Sequence, residues 1–181
     1  MVTVIPIRFV GDPVLRQPAA VVADFDAELR SLVTDLRETL ADRGGAGLAA
    51  PQLGVGQRVF VIAPQLADGG VDHLVNPVLD FPDEQEQGGP EGCLSIPGIY
   101  LDTKRRLNVV AKGFTQHGDP VQVVGEGLLS RCIQHETDHL DGVLFIDRQE
   151  PAQQQRLLAT LRDAAWFDPV AFDPVVKVSP H

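Results

Sequence analysis

Apolar residues first recur at helical spacing after Asp24, where Leu29, Leu32, Val33, Leu36 and Leu40 fall on one face of a 3.6-residue period. The spacing predicts an amphipathic helix from about Asp24 to Arg43, with Asp24 as N-cap and Gly44 as stop. The pattern then changes. Segments Arg58 to Ala63, Val71 to Leu79, Leu107 to Phe114 and Val121 to Val124 are bounded by Gly, Pro and Asp and read as strands. A second helix is expected from about Gly127 to Leu140, with Leu128, Cys132, His135 and His139 along one face and Gly142 ending it. A third, about Pro151 to Trp166, opens on proline and carries Leu157, Leu158 and Leu161. Beyond it a Phe-Asp-Pro-Val unit occurs twice without helical pattern, so about 167–181 is expected to be an extended tail.

Helices set among strands predict an α+β fold. The 181 residues, 44% of them hydrophobic, can bury one substantial core, so 1–181 is expected to form a single domain without linkers or repeats. Charged residues make up 22%, and no apolar run is long enough to cross a bilayer. The start, Met1 to Arg8, lacks the pattern of a secretory signal, and two cysteines do not make a disulfide framework, so the expected compartment is the cytoplasm. A formal charge of -10 argues against general nucleic-acid binding. The acidic run in Phe81 to Glu86 is expected to be a solvated loop.

The chemistry concentrates in Gln134-His135-Glu136-Thr137-Asp138-His139. Histidines four residues apart on a helix share a face and can share a metal ion. Glu136 then lies beside the ion, where it can take a proton from a bound water and pass it to a leaving group. Helix-borne metallopeptidases find a third ligand downstream, but the sixth residue after His139 is Phe145, and Glu150 is too close for the usual arrangement. The remaining donors are His73, His117, His181, Cys93 and Cys132. Cys93 ranks first, because Gly92 before it gives backbone freedom and the residues after it alternate as in an extended segment. Cys132 reads as a buried structural cysteine one turn from the site, and the three histidines as solvated. Two other readings stay open at this point: a peptidase cutting internal bonds, and a metal-binding module without catalysis.

With the stretch Gly45-Ala46-Gly47-Leu48-Ala49-Ala50-Pro51-Gln52, the EGCLS segment from Glu91 to Ser95 and the QHETDHLDG helix, the chain resembles the peptide deformylase family. Asp12-Pro13-Val14-Leu15-Arg16 also looks like that family's N-terminal stretch. The resemblance implies a single catalytic domain of antiparallel and mixed strands around a central metal-bearing helix, with an N-terminal and a C-terminal helix. It implies that Cys93, His135 and His139 are metal ligands, that Glu136 is the general acid/base, and that Gln52 and the backbone N–H of Leu94 hold the carbonyl oxygen. The implied ion is one divalent metal per chain, Fe(II) natively, with Zn, Ni or Co able to occupy the site. The implied substrate is the N-formyl-methionine end of a nascent peptide, from which formate is released.

Gly45 and Gly47 suit close backbone approach at the reacting carbon. The resemblance places Ala46, Leu128, Arg131 and Cys132 around the methionine side chain and Tyr100 near the peptide backbone, and it counts Glu91 and Gly92 among the substrate-binding residues. Arg131 stands where many relatives have an apolar residue, and its stem is expected to line the pocket while its head reaches water or simply covers the helix. Tyr100 stands where some relatives carry arginine. Arg105 is expected to pair with Glu91 and steady the Cys93 segment. Some relatives dock their C-terminal helix at the ribosome, but here Arg156 and Arg162 are its only basic residues, which favours packing against the core. No membrane partner is expected.

Overall fold

The computed structural model describes residues 4–68 and 70–164. In chain order its elements are α1 (Ala27–Arg43), β1 (Gly47–Ala49), β2 (Val59–Ile62), α2 (Pro64–Ala67), β3 (His73–Asp80), β4 (Glu86–Gln87), β5 (Pro90–Cys93), β6 (Ile96–Asp102), β7 (Arg105–Arg106), β8 (Asn108–Phe114), β9 (Pro120–Glu126), α3 (Gly127–Leu140) and α4 (Pro151–Arg162). Short 3-10 turns lie at Pro13–Arg16, Ala50–Leu53 and Phe145–Arg148. A five-stranded antiparallel sheet runs in the order β1-β2-β3-β8-β9, and β5 with β6 and β4 with β7 form two smaller ladders. The fold is α+β. Among the described residues the parallel pairing within the expected mixture is an isolated bridge between Ala20 and Gln57.

Strand β2 explains the layering. Its four residues are all buried, and because successive side chains point to opposite faces, Val59 and Val61 pack with Leu29, Val33, Leu36 and Leu40 of α1. Phe60 and Ile62 face the other way, onto Cys132, Ile133 and Leu140 of α3. A strand covered on both sides reads as a continuous apolar run. A third cluster joins Ile96 of β6 to Leu144, Phe145, Ile146 and the α4 residues Leu157 and Leu161, so α4 does pack against the core.

The N-cap of α1 is Asp26 rather than Asp24: its side chain accepts from Leu29 N at 3.0 Å, and the cap lies two residues later than expected. A cap side chain reaches the second or third helical N–H, which Asp24 is too far back to do. Gly44 ends α1 in the left-handed region at φ 74, with its N–H on Leu40 O. The bounds of α3 agree with the sequence pattern, and its residues from Ser130 to Leu140 are buried. The helix α4 is described to Arg162; the expected remainder to Trp166 and the tail 167–181 lie outside the described residues. In the acidic run, Phe81, Pro82, Glu84, Gln85 and Glu86 are exposed, although Glu86 also pairs with Arg106.

His73 is not solvated. It is 7% exposed, its Nε2 accepts from Gln116 N at 3.0 Å, and its Nδ1 lies 2.8 Å from Asp72, which Arg37 holds through two bonds of 2.7 Å. It opens β3 opposite Val61 in the middle of the sheet, a placement decided by strand pairing rather than by its polar neighbours. His117 is exposed, and His181 lies outside the described residues. No helix among the described residues is long and apolar enough to cross a membrane.

Candidate metal centre

Two elements bring the donor atoms together. Helix α3 holds His135 and His139 four residues apart, with ring centroids 4.9 Å apart, and β5 ends on Cys93 beside them. The three donor atoms lie within 4.8 Å of one another, and Cys93 Sγ is 3.3 Å from His139 Nε2. One sulfur and two imidazoles at such spacing match a divalent metal site with one tetrahedral position open. Their surroundings push the two imidazoles in opposite directions. Burial, together with His135 and Arg105, holds His139 well below its ordinary 6.5. Burial pulls His135 down too, but its bonds to Cys93 and Glu91 outweigh this and raise it well above 6.5.

Glu91 gives His135 its orientation. Its Oε1 lies 2.7 Å from His135 Nδ1, which leaves Nε2 for a metal, as second partners of ligating histidines do. The expected pair with Arg105 is present, through bonds of 3.0 and 2.5 Å, and Arg105 also donates to Asp138 at 2.6 Å. Burial disfavours the Glu91 charge, yet His135 and Arg105 together hold its carboxyl far below the ordinary range. The carboxylate of Glu91 is thus committed to this network, and the residue also lines the cleft above the site.

Glu136 is 3% exposed, and its Oε2 has no hydrogen-bond partner among the described residues. Burial pushes its carboxyl up to about 7. A carboxyl poised there holds and releases a proton near neutrality. Gln52 is fixed from both ends: its Oε1 accepts from Ala49 N at 2.8 Å, while its Nε2 donates to Ser95 Oγ at 3.1 Å and lies 3.6 Å from Cys93 Sγ.

A cleft of about 680 Å³ opens over these groups. Gly45, Ala46, Gly47, Gly92, Leu94, Tyr100, Leu128, Arg131 and Cys132 all line it. A Cβ on Gly47 would stand 2.7 Å from Glu136 Cγ and Oε1, and one on Gly92 would stand 2.5 Å from the Tyr100 ring. Gly92 lies against the Tyr100 ring and does not occupy the left-handed region, so its bare backbone makes room for that ring instead of supplying backbone freedom. Tyr100 and Leu128 are strongly exposed at the mouth, and Cys132 is buried in the floor. Arg131 departs from expectation, because its head is buried on Glu91 and Thr103 O rather than in water. The sequence reading missed Pro6, Ile7, Phe9 and Arg43, and the stretch from Ile96 to Ile99, which also line the cleft. Their contribution comes from tertiary placement, which no local pattern announces.

The comparisons agree with this geometry. The family model described as polypeptide deformylase matches residues 4–155. A peptide deformylase of Acidothermus cellulolyticus is 56% identical over 176 residues, covering 97% of this chain and 94% of its own. One of Parafrankia is 53% identical over 97% of this chain and 93% of its own. Among solved structures, the peptide deformylase from Synechococcus elongatus in complex with actinonin superposes with a TM-score of 0.80 at 39% identity, covering 94% of this chain and 91% of its own. That from Thermus thermophilus gives 0.80 at 39%, covering 88% and 93%. The chain belongs to the polypeptide deformylase family, metal-dependent hydrolases that remove the N-formyl group from newly synthesised polypeptides.

Proposed function

We propose that Cys93, His135 and His139 hold one divalent ion, that Glu136 is the proton shuttle, and that the substrate is the formyl-methionyl end of a nascent peptide. The observation that carries this reading is the bare, buried Oε2 of Glu136 beside a cluster of one sulfur and two imidazoles. A divalent ion bound there supplies an acidified water and a Lewis-acid contact for a carbonyl oxygen. The thiolate favours a soft or borderline ion, and Fe(II) is the ion we assign, with Zn, Ni and Co as substitutes.

Glu136 takes the proton of the attacking water as the water oxygen bonds to the formyl carbon. The negative charge gathers on the former carbonyl oxygen, where Gln52 Nε2 and the Leu94 N–H donate to it. Glu136 then gives its proton to the amine nitrogen as the C–N bond breaks, leaving formate and a free N-terminus. Gly47 supports selection of the small formyl group, since it brings backbone against Glu136 with no space for a side chain. Ala46, Leu128 and Cys132 offer an apolar wall for the methionine side chain. Tyr100 and Leu128, exposed at the mouth, suit the following peptide residues. The cytoplasm, where nascent chains emerge, is the assigned compartment.

Formyl-Met-Ala-Ser and Met-Ala-Ser assayed side by side with Fe(II)-loaded protein test the reading. Formate from the first peptide and no cleavage of the second is the expected result. Cleavage of internal bonds in both would overturn it.

A further inference from the structure

Glu91 does more than orient one imidazole. Its Oε1 meets His135 Nδ1 at 2.7 Å, and its Oε2 accepts from Arg131 Nη1 at 2.8 Å. Arg131 and His135 are four residues apart on α3, one above the other on the same face. A single carboxylate on β5 thus bridges two successive turns of α3. Two residues beyond Glu91, β5 ends at Cys93, so this bridge sets where the sulfur stands relative to the two imidazoles. Arg105 also holds Glu91, but its third nitrogen is drawn to Asp138, which Arg148 shares. Arg131 is anchored independently, on Thr103 O at 2.8 Å, and its guanidinium is nearly as buried as that of Arg105. Its Nη2 has no hydrogen-bond partner among the described residues and is shut away from the cleft surface.

We infer that Arg131 is a positioning residue for the metal site: by pinning Glu91 Oε2 to α3 it locks the Cys93 strand at the spacing the ion requires, instead of reading the first substrate side chain. The inference rests on the ligand assignment above. Its effect runs through Glu91 and hence through metal affinity, and substrates that differ in their first side chain feel it equally. The neutral isostere would remove one of the two α3 anchors while Arg105 keeps the Glu91 charge compensated.

The test compares cobalt-loaded wild type, Arg131→Met, Arg131→Lys, Glu91→Gln and the Glu91→Gln/Arg131→Met pair. The Co(II) dissociation constant is measured by chelator competition, the thiolate-to-cobalt absorption band is recorded, and formate release is followed from formyl-Met-Ala-Ser and formyl-norleucyl-Ala-Ser. Arg131→Met should weaken cobalt binding about tenfold and shift the band, as loss of an outer-shell partner does. Arg131→Lys should fall between it and wild type, and Arg131→Met should add nothing in the Glu91→Gln background. The kcat/KM ratio for the two peptides should be that of wild type. Wild-type cobalt affinity and band in a folded Arg131→Met, an undiminished effect in the Glu91→Gln background, or a changed peptide preference at unchanged affinity would each overturn the inference. If Arg131→Met does not fold, Arg131→Lys decides on the same readouts. Failure of wild type to release formate would remove the proposed reaction and leave the cobalt result standing on its own.

Discussion

Gly47 lies so close to Glu136 that a Cβ on the glycine would stand 2.7 Å from the carboxylate Oε1, with Cys132 Sγ at 2.8 Å. The backbone of β1 and the face of α3 meet at the proposed shuttle, and neither can retreat, since Leu48 beside Gly47 and Ile133 beside Cys132 are fully buried. Gly47→Ala must therefore displace Glu136 or spread the two elements. Turnover should fall by about a hundredfold, the order expected when a reacting group is misplaced by an ångström. Stability should fall by about 1–3 kcal/mol from overpacking. Steady-state formate release and urea unfolding measure the two, and wild-type turnover would contradict the packing described.

Gln52 is preorganised by its bond from Ala49 N, which leaves its Nε2 turned toward Cys93 and Ser95. Gln52→Ala should reduce kcat by about 10²–10³, the loss typical of one oxyanion donor, with KM little changed. A drop seen in KM alone would assign Gln52 to ground-state binding.

The Arg37, Asp72 and His73 group makes stability depend on pH away from the metal ligands. Burial pushes Asp72 up, but bonds from Arg37 and His73 outweigh it and hold it below its ordinary 3.8. Burial and the charges of Arg37 and His117 press His73 below 6.5 more than Asp72 raises it. In both cases the unfolded chain takes up the proton more readily, so stability rises with pH. The His73 contribution is complete above 6.5 and is lost as the pH falls through its folded value; that of Asp72 follows below 3.8. Tm of wild type should fall between pH 7.5 and about 5.5 more steeply than that of His73→Gln. Parallel curves would exclude a contribution from His73.

Glu91→Ala leaves Arg105 and Arg131 buried with half their partners gone. Removing one member of a buried ionic cluster costs about 3–5 kcal/mol. Chemical denaturation of the two proteins measures it, and a loss under about 1 kcal/mol, on the order of an exposed pair, would show the cluster to be relaxed by water.

The candidate ligands are legible in the sequence because an i, i+4 pair of histidines needs only helical geometry, and the extended run at Cys93 needs only to be brought alongside. The helix α1 is legible from Leu29 to Leu40, but its start is not, because Asp24 and Asp26 offer the same side chain and differ only in reach to Leu29 N. His73 and Arg131 escape a sequence reading for a common reason: the partners that bury them, Gln116 and Arg37 for one and Glu91 and Thr103 for the other, lie 28 or more residues away in the chain. Sequence context reports polarity, while burial of a polar head depends on partners that only the fold assembles.

In the proposed reaction Glu136 moves the proton in a hydrolysis carried out at Cys93, His135 and His139. Formate release from formyl-Met-Ala-Ser should be measured for anaerobically prepared Fe(II) protein and for Glu136→Ala carrying the same metal content. Rapid release by the wild type and a loss of at least about 10²–10⁴ in the variant is the predicted result. A metal-loaded Glu136→Ala that releases formate at the wild-type rate would contradict it.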